Sequence, residues 1–190
     1  MQPEVEGNVV FEEWDAGHRR FSEFLQFLHS VAADQVPFVV GEYYAPYESH
    51  LLVALDDGEV AGAIRFAVQP IGPEARCPVV RLGETPLTEA KIHVFAVRPA
   101  SRNRGIGTRL QRWVIASARD LGCYQVASYS CYDREANYHI KLSLGFAAQP
   151  EVHDGGNEHG IYFLMPLRGS VVDGASRPGT RSTDLSGERR

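Results

Sequence analysis

A chain of 190 residues with 44% hydrophobic and 23% charged residues has the balance of one globular domain, long enough to bury a core without metal or disulfide staples. The formal net charge of -5 argues against nucleic acid or an anionic membrane as a partner, because both want a basic face. Cys77, Cys123 and Cys131 form no C-x-x-C pair and Met1 to Gly7 do not look like a secretory signal, which together suggest free thiols in a reducing cytoplasm. No apolar run approaches the roughly 20 residues that span a bilayer. The seven histidines are scattered without ligand spacing, so no metal site is expected.

From the amino end, Asn8 to Trp14 alternates weakly and predicts a first strand. Phe21, Phe24, Leu25, Leu28, Val31 and Ala32 recur at helical spacing and predict an amphipathic helix that stops before Pro37. Val36 to Ser49 reads as a loop or a broken short helix, with Tyr43, Tyr44 and Tyr47 crowded into it. His50 to Leu55 and Glu59 to Val68 are β-rich runs around Asp56-Asp57-Gly58, the mark of a hairpin. Gln69 to Thr88 holds four prolines and two glycines, so it is an insertion rather than a tight connection. Ala90 to Val97 is nearly continuous in apolar residues, as in the middle of a sheet, and Pro99 closes it.

Gly105 to Leu121 predicts a second strong helix, with Ile106, Leu110, Trp113, Val114 and Leu121 on one face and Gly122 as its stop. Tyr124 to Ser130 predicts a strand, Arg134 to Leu144 a short helix ended by Gly145, and Ile161 to Leu167 a last strand. His153 to His159 is a polar, Gly-rich turn between two late strands. The domain spans 8–168; residues 1–7 form a tail, and 169–190, nearly empty of large apolar residues, are expected to be a disordered one. The order β-α-loop-β-β-insert-β-α-β-α-β-β describes an α+β fold with a mixed sheet, not regular βαβα alternation.

The central signal runs from Val97 through Arg98, Pro99, Arg102, Asn103 and Arg104 to Gly105-Ile106-Gly107-Thr108. A strand ends, and after a short loop a helix opens with two glycines one residue apart. Orphan amide N–H groups at such a start favour an anion, and glycines let a phosphate approach the backbone. Arg102 and Arg104 add cations beside it. A helix start whose glycines merely permit tight packing is the alternative. The Gly-Lys-Ser/Thr ending of a P-loop is absent, and Arg102 occupies the first glycine position of a dinucleotide fingerprint.

Val97-x-Pro99 followed by Arg102-x-x-Gly105-x-Gly107 and Leu110 resembles motif A of the GNAT N-acetyltransferase superfamily. Ile92 to Val97 resembles that family's fourth strand, and the helix ending at Leu144-Gly145-Phe146 resembles its motif B. The likeness runs from about Asn8 to Leu167 and extends to the element order. It implies a central mixed, mostly antiparallel sheet of roughly six to seven strands, flanked by about four helices and splayed between strands four and five. It implies acetyl-CoA as cosubstrate, its pantetheine arm paired with the backbone of Phe95, Ala96 and Val97 like an added strand. Arg102, Asn103, Arg104, Gly105, Ile106, Gly107 and Thr108 would take the pyrophosphate. Asn137 is either a hydrogen-bond partner of the arm or an ordinary helix-start residue.

The implied activity is N-acetyl transfer to a primary amine of a small molecule or protein by direct attack on the thioester. The amine must lose a proton, the oxyanion must be stabilised and the thiolate must gain a proton. Where the family often carries a glutamate base, this chain has Lys91; Glu89, two residues away on the same strand face, and His93, whose ring suits neutral pH, are the substitutes. A solvated strand-end carboxylate and a space-filling histidine are their plainer roles. Where the family commonly carries a tyrosine acid, five residues before Phe146, this chain has Lys141; Tyr138 lies one turn earlier, with water as the other proton source. Cys131 has no identifiable His/Asn partner and reads as a bystander thiol.

Glu42, Tyr43, Tyr44 and Tyr47 offer carboxylate and aromatic faces that suit a cationic amine, although a packed or homodimer-forming loop would look the same. The insertion from Gln69 to Thr88 is placed to cover such a pocket. The departures at Lys91 and Lys141 keep a non-catalytic acyl-CoA-binding sensor as the rival function.

Overall fold

The computed structural model describes residues 9–40, 47–73, 76–153 and 158–167. The two expected tails and the acceptor candidates Glu42, Tyr43 and Tyr44 lie outside those residues. β1 (Val9–Trp14) leads into α1 (Phe21–Val31), a 3-10 turn at Ala33–Gln35 and the one-turn α2 (Pro37–Val40). β2 (Glu48–Asp56) and β3 (Glu59–Pro70) form the predicted hairpin, whose turn places Asp57 and Gly58 at positive φ. The insertion carries a small hairpin of its own, β4 (Arg81–Leu82) and β5 (Thr85–Pro86). Then come β6 (Thr88–Val97), α3 (Ile106–Asp120), β7 (Gln125–Cys131), α4 (Glu135–Ser143), β8 (Ala147–His153) and β9 (Glu158–Pro166).

Seven strands form one sheet in the order β1-β2-β3-β6-β7-β9-β8. Every pairing is antiparallel except β6 with β7, which α3 connects as a crossover. This is the expected mixed, mostly antiparallel α+β architecture. The sheet buries both faces. α1 presses Phe24, Phe27 and Leu28 onto Leu51, Val53 and Val94, while α3 presses Ile106, Leu110 and Val114 onto Leu52, Ile64 and Ile92 on the other side. Each such side chain stabilises the fold by about 1.5–3 kcal/mol when fully buried.

β6 changes character at one residue. Arg65 pairs with Val94 and Phe66 with Ile92, so His93 is an extra residue in the ladder, a β-bulge. Because side chains alternate with a period of two, one extra residue swaps the faces. Ala90 and Ile92 join the core under α3, whereas Val94 and Ala96 join the core under α1 and Phe95 and Val97 turn toward α3.

Three details depart from expectation. Leu121 does not extend the buried face of α3: it is exposed, because the helix ends at Asp120 and Gly122 turns the chain at φ 71°. The buried stripe instead contains Gln111, fully enclosed. β9 begins three residues before Ile161, since Glu158, His159 and Gly160, polar or weak in β-propensity, are held by pairing with β8.

α3 lies close on the sheet at Gly62 of β3, where an added Cβ would stand 3.0 Å from Ile106 Cγ2 and 3.3 Å from the Ala96 carbonyl oxygen. Gly62→Val is therefore expected to lower stability by about 1–3 kcal/mol, the range for overpacking, as measured by urea unfolding.

Candidate active site

β6 and β7 stay paired from Glu89 with Gln125 to Ile92 with Ser128, and the register stops there. Beyond the bulge the two strands diverge, and a cleft of about 1600 Å³ opens between them. Residues of β6, β7, the loop before α3, the first turn of α3 and the start of α4 line it.

At one end, Arg102, Asn103, Gly105, Ile106, Gly107 and Thr108 border the cleft. Asn103 and Gly105 take positive φ (61° and 78°), which aims the backbone into α3, and no side chain caps that helix. Its first amide N–H groups have no intrahelical acceptor, and a Cβ built on Gly105 would meet nothing within 4 Å. Arg102 holds the strand end by donating from Nε to the Val97 carbonyl at 3.3 Å. Arg104 does not border the cleft; its guanidinium pairs with Asp56 in the β2–β3 turn, which holds the Asp56 carboxyl below its ordinary range. The motif's second arginine thus braces the loop.

In the middle, Phe95, Ala96 and Val97 of β6 face Ser128 and Ser130 of β7 and Asn137 of α4. The Phe95 backbone bonds to neither neighbouring strand in the usual way here: its N–H donates to Gln35 Oε1 at 2.8 Å and its carbonyl accepts from Gln35 Nε2 at 3.4 Å. Asp34, next to it, forms an ion pair with Arg134 at the start of α4 at 2.8 Å.

At the far end, Glu89, Lys91 and His93 border the cleft together with Gln125, Tyr129 and Tyr162. Glu89 is buried, not a solvated strand end. Gln69, Glu89 and Gln125 stand in register on three adjacent strands, and the two amides donate to the carboxylate from either side at 3.2 and 2.7 Å. Lys91 is also buried and donates to Tyr162 Oη at 2.7 Å. His93 stacks on Phe38 of α2 with 6.3 Å between ring centroids. Ile71, Cys77 and Val80 of the insertion border this end.

Of the proposed acid-base residues, the cleft brings together His93 and Glu89 but not Tyr138. The Tyr138 hydroxyl donates to the backbone carbonyls of Cys131 and Ser130, and burial pushes its pKa up. Tyr47 is exposed and does not border the cleft.

Lys141 is the group whose environment sequence reasoning did not resolve. It is fully buried on α4, its ammonium donating to Ser128 Oγ at 2.7 Å and Ser130 Oγ at 2.9 Å, with Phe163 beneath it. Burial first, and then the charge of Lys91, lower its pKa to about 7. The alternation Ser128-x-Ser130 within β7 was the available signal.

The acetyltransferase (GNAT) family matches residues 14–146, and the chain belongs to that family. It is an acyltransferase. No curated protein matches the sequence significantly. Among solved structures, NAA60 of Arabidopsis thaliana in complex with acetyl-CoA is similar, with a TM-score of 0.66 and 13% identity over 85% of this chain and 99% of the other. The NatC complex bound to Gag peptide and CoA is similar with a TM-score of 0.61 and 13% identity over 84% and 99%. Drosophila melanogaster polyamine N-acetyltransferase is similar with a TM-score of 0.59 and 18% identity over 84% and 100%.

The lowered Lys141 value has a signed consequence. Between pH 7 and the ordinary lysine range the unfolded chain binds the extra proton, so raising pH through that window stabilises the native state; below pH 7 the cost of the buried charge is present in full. From pH 7 to 8.5 wild type is expected to gain stability relative to Lys141→Met, with a limiting slope of about 1.4 kcal/mol per pH unit, the contributions of Cys123 and Tyr138 being common to both proteins. Parallel denaturation curves at both pH values measure this, and equal pH dependence in the two proteins would contradict it.

Proposed function

We propose that the chain transfers the acetyl group of acetyl-CoA to a primary amine of a small molecule or protein, by direct attack of the amine on the thioester. The observation that carries this is the opening of β6 from β7 just past Ile92, which leads from the buried polar end of the cleft to an uncapped helix start at Gly105. Phe95 and Val97 would pair with the pantetheine arm, the amides of Asn103 to Thr108 would take the pyrophosphate, and Arg102 and Asn137 would add hydrogen bonds. Asn137 supports this role with its carbonyl oxygen buried and unpartnered while its amide donates to Ser130 Oγ at 2.8 Å. The preorganised backbone fixes a ligand arm that offers few charged handles.

In this reading His93 accepts the proton of the attacking amine, directly or through water. It stands at the bulge, where the strand aims it into the cleft. Glu89 stays fixed between Gln69 and Gln125 and supplies negative potential that draws a cationic amine to this end. Tyr138 secures the β7–α4 connection. Similar solved proteins act on a polyamine or bind a peptide, so both amine classes belong in the assay. Three free thiols fit a cytoplasmic setting, and no helix among the described residues is long and apolar enough to cross a membrane.

Calorimetry with acetyl-CoA and a thiol-release assay over agmatine, spermidine and N-terminal peptides test the proposal. Binding and release of free CoA with at least one amine are expected, and Arg102→Ala is expected to weaken acetyl-CoA binding about tenfold, the loss of one charge-assisted hydrogen bond. Tight binding with no release for any amine would instead establish a non-catalytic acyl-CoA sensor.

A further inference from the structure

Ser130 presents an unusual hydroxyl. It lies on β7 two residues past Ser128, the last residue paired with β6, and it borders the cleft. Its oxygen accepts from Lys141 Nζ at 2.9 Å and from Asn137 Nδ2 at 2.8 Å. A serine oxygen has two lone pairs and one proton. With both lone pairs engaged, the proton must be donated elsewhere, and among the described residues it has no acceptor. Ser128 differs: it also accepts from Lys141, but its hydroxyl turns to the Tyr129 carbonyl at 3.5 Å.

Behind Ser130, Lys141 is enclosed, and no carboxylate among the described residues acts on it. The groups around it are few. Lys91 on β6 acts on it through its charge, and Tyr162 on β9 holds Lys91. Cys131 follows Ser130 on β7, and Tyr138 lies one turn earlier on α4 against the same Phe163 ring. α3 contributes no charge that shifts it. A lone buried ammonium costs stability, and apolar residues would fill the space more cheaply. Its position behind a hydroxyl that faces the cleft gives that cost a use.

We infer that Ser130 donates its hydroxyl proton to the departing thiolate and recovers one from Lys141, an inference that rests on acetyl-CoA occupying the cleft. As the C–N bond forms and the C–S bond breaks, the electron pair stays on sulfur. Sulfur takes the Ser130 proton, Ser130 takes a proton from the Lys141 ammonium, and Lys141 is left a neutral amine. The proton released by the acceptor nitrogen goes to His93 or water on the β6 side, and solvent recharges Lys141 after the products leave. A lysine near neutrality can both give and regain that proton at physiological pH. Ser130 is the catalytic group; Lys141 acts through it and holds it in position.

The test uses acetyl-CoA with the fastest acceptor of the amine panel, on wild type, Ser130→Ala, Lys141→Met and Lys141→Arg. Ser130→Ala and Lys141→Met are expected to bind acetyl-CoA with unchanged affinity while kcat falls roughly 100-fold, the low end for a positioned acid. Wild-type kcat is expected to decline above about pH 7, with that decline absent from both variants. Lys141→Arg keeps the charge and donors but cannot release a proton, so it is expected to resemble Lys141→Met. Ser130→Ala, which removes a single oxygen, carries the test if the lysine variants melt below assay temperature.

A wild-type rate in Ser130→Ala, an alkaline decline that persists in Lys141→Met, or full rescue by Lys141→Arg would overturn the relay while leaving acetyl transfer standing. Failure of wild type to bind acetyl-CoA, or binding without turnover, would overturn the functional reading first and the relay with it.

Discussion

β6 is hydrogen-bonded along both edges as far as Ile92 and shares only its β3 edge with another strand beyond it, because His93 inserts one extra residue into the ladder. Everything that distinguishes this sheet from a plain mixed sheet follows from that residue. The bulge rotates Val94 and Ala96 into the core under α1 and sends Phe95 and Val97 toward α3. The β7 edge is left without a partner just where Ser130 emerges, and the cleft forms between two strands that are otherwise neighbours. Apolar burial on both faces holds the divergence open: α1 and α3 each anchor one set of the swapped side chains, so straightening β6 would expose them.

The polar groups sunk into this sheet are arranged by face. Glu89 is clasped by Gln69 and Gln125, and Lys91 rests on Tyr162, all toward the far end of the cleft. Lys141 sits with Ser128 and Ser130 beside α4. Burial, and secondarily the charge of Lys91, make Lys141 keep its proton only weakly. One fold thereby maintains a firmly held carboxylate and a loosely held ammonium at a short remove along the same strands.

Much of this was legible in the chain itself. The helix of Phe21, Phe24 and Leu28, the Asp57-Gly58 hairpin and the strand into Gly105 are all local signals, and each stands in the structure. The turn into α3 was readable from its glycines: Gly105 takes positive φ, and Gly107 lets the helix pack closely on Phe95 and Ile140, where an added Cβ would stand 3.0 Å from each. What was not readable depends on neighbours far along the chain. The bulge at His93 arises from the register against β3, Gln35 reaches Phe95 across 60 residues, and Arg104 finds Asp56 across 48. Lys141 looked like a departure from the family pattern; its chemistry depends on two serines on another element, which no periodicity reports. Leu121 fits the helical phase on paper, but α3 ends at Asp120 and Leu121 is already its cap, turned outward ahead of Gly122.

The amide of Gln35 has a consequence for the protein's solubility. A strand edge opened in the middle of a sheet is a template for any extended chain, including another copy of itself, and such edges are the usual starting points of intermolecular β-pairing. Gln35 meets the Phe95 backbone with one donor and one acceptor, the same pair a neighbouring strand would supply. A single side chain thus completes the sheet at its weakest point. The same amide can be released when a better partner arrives, since two hydrogen bonds to a half-buried glutamine are each worth only about 1 kcal/mol net. The backbone of Phe95 is thus satisfied by a side chain, which yields more readily than a paired strand would.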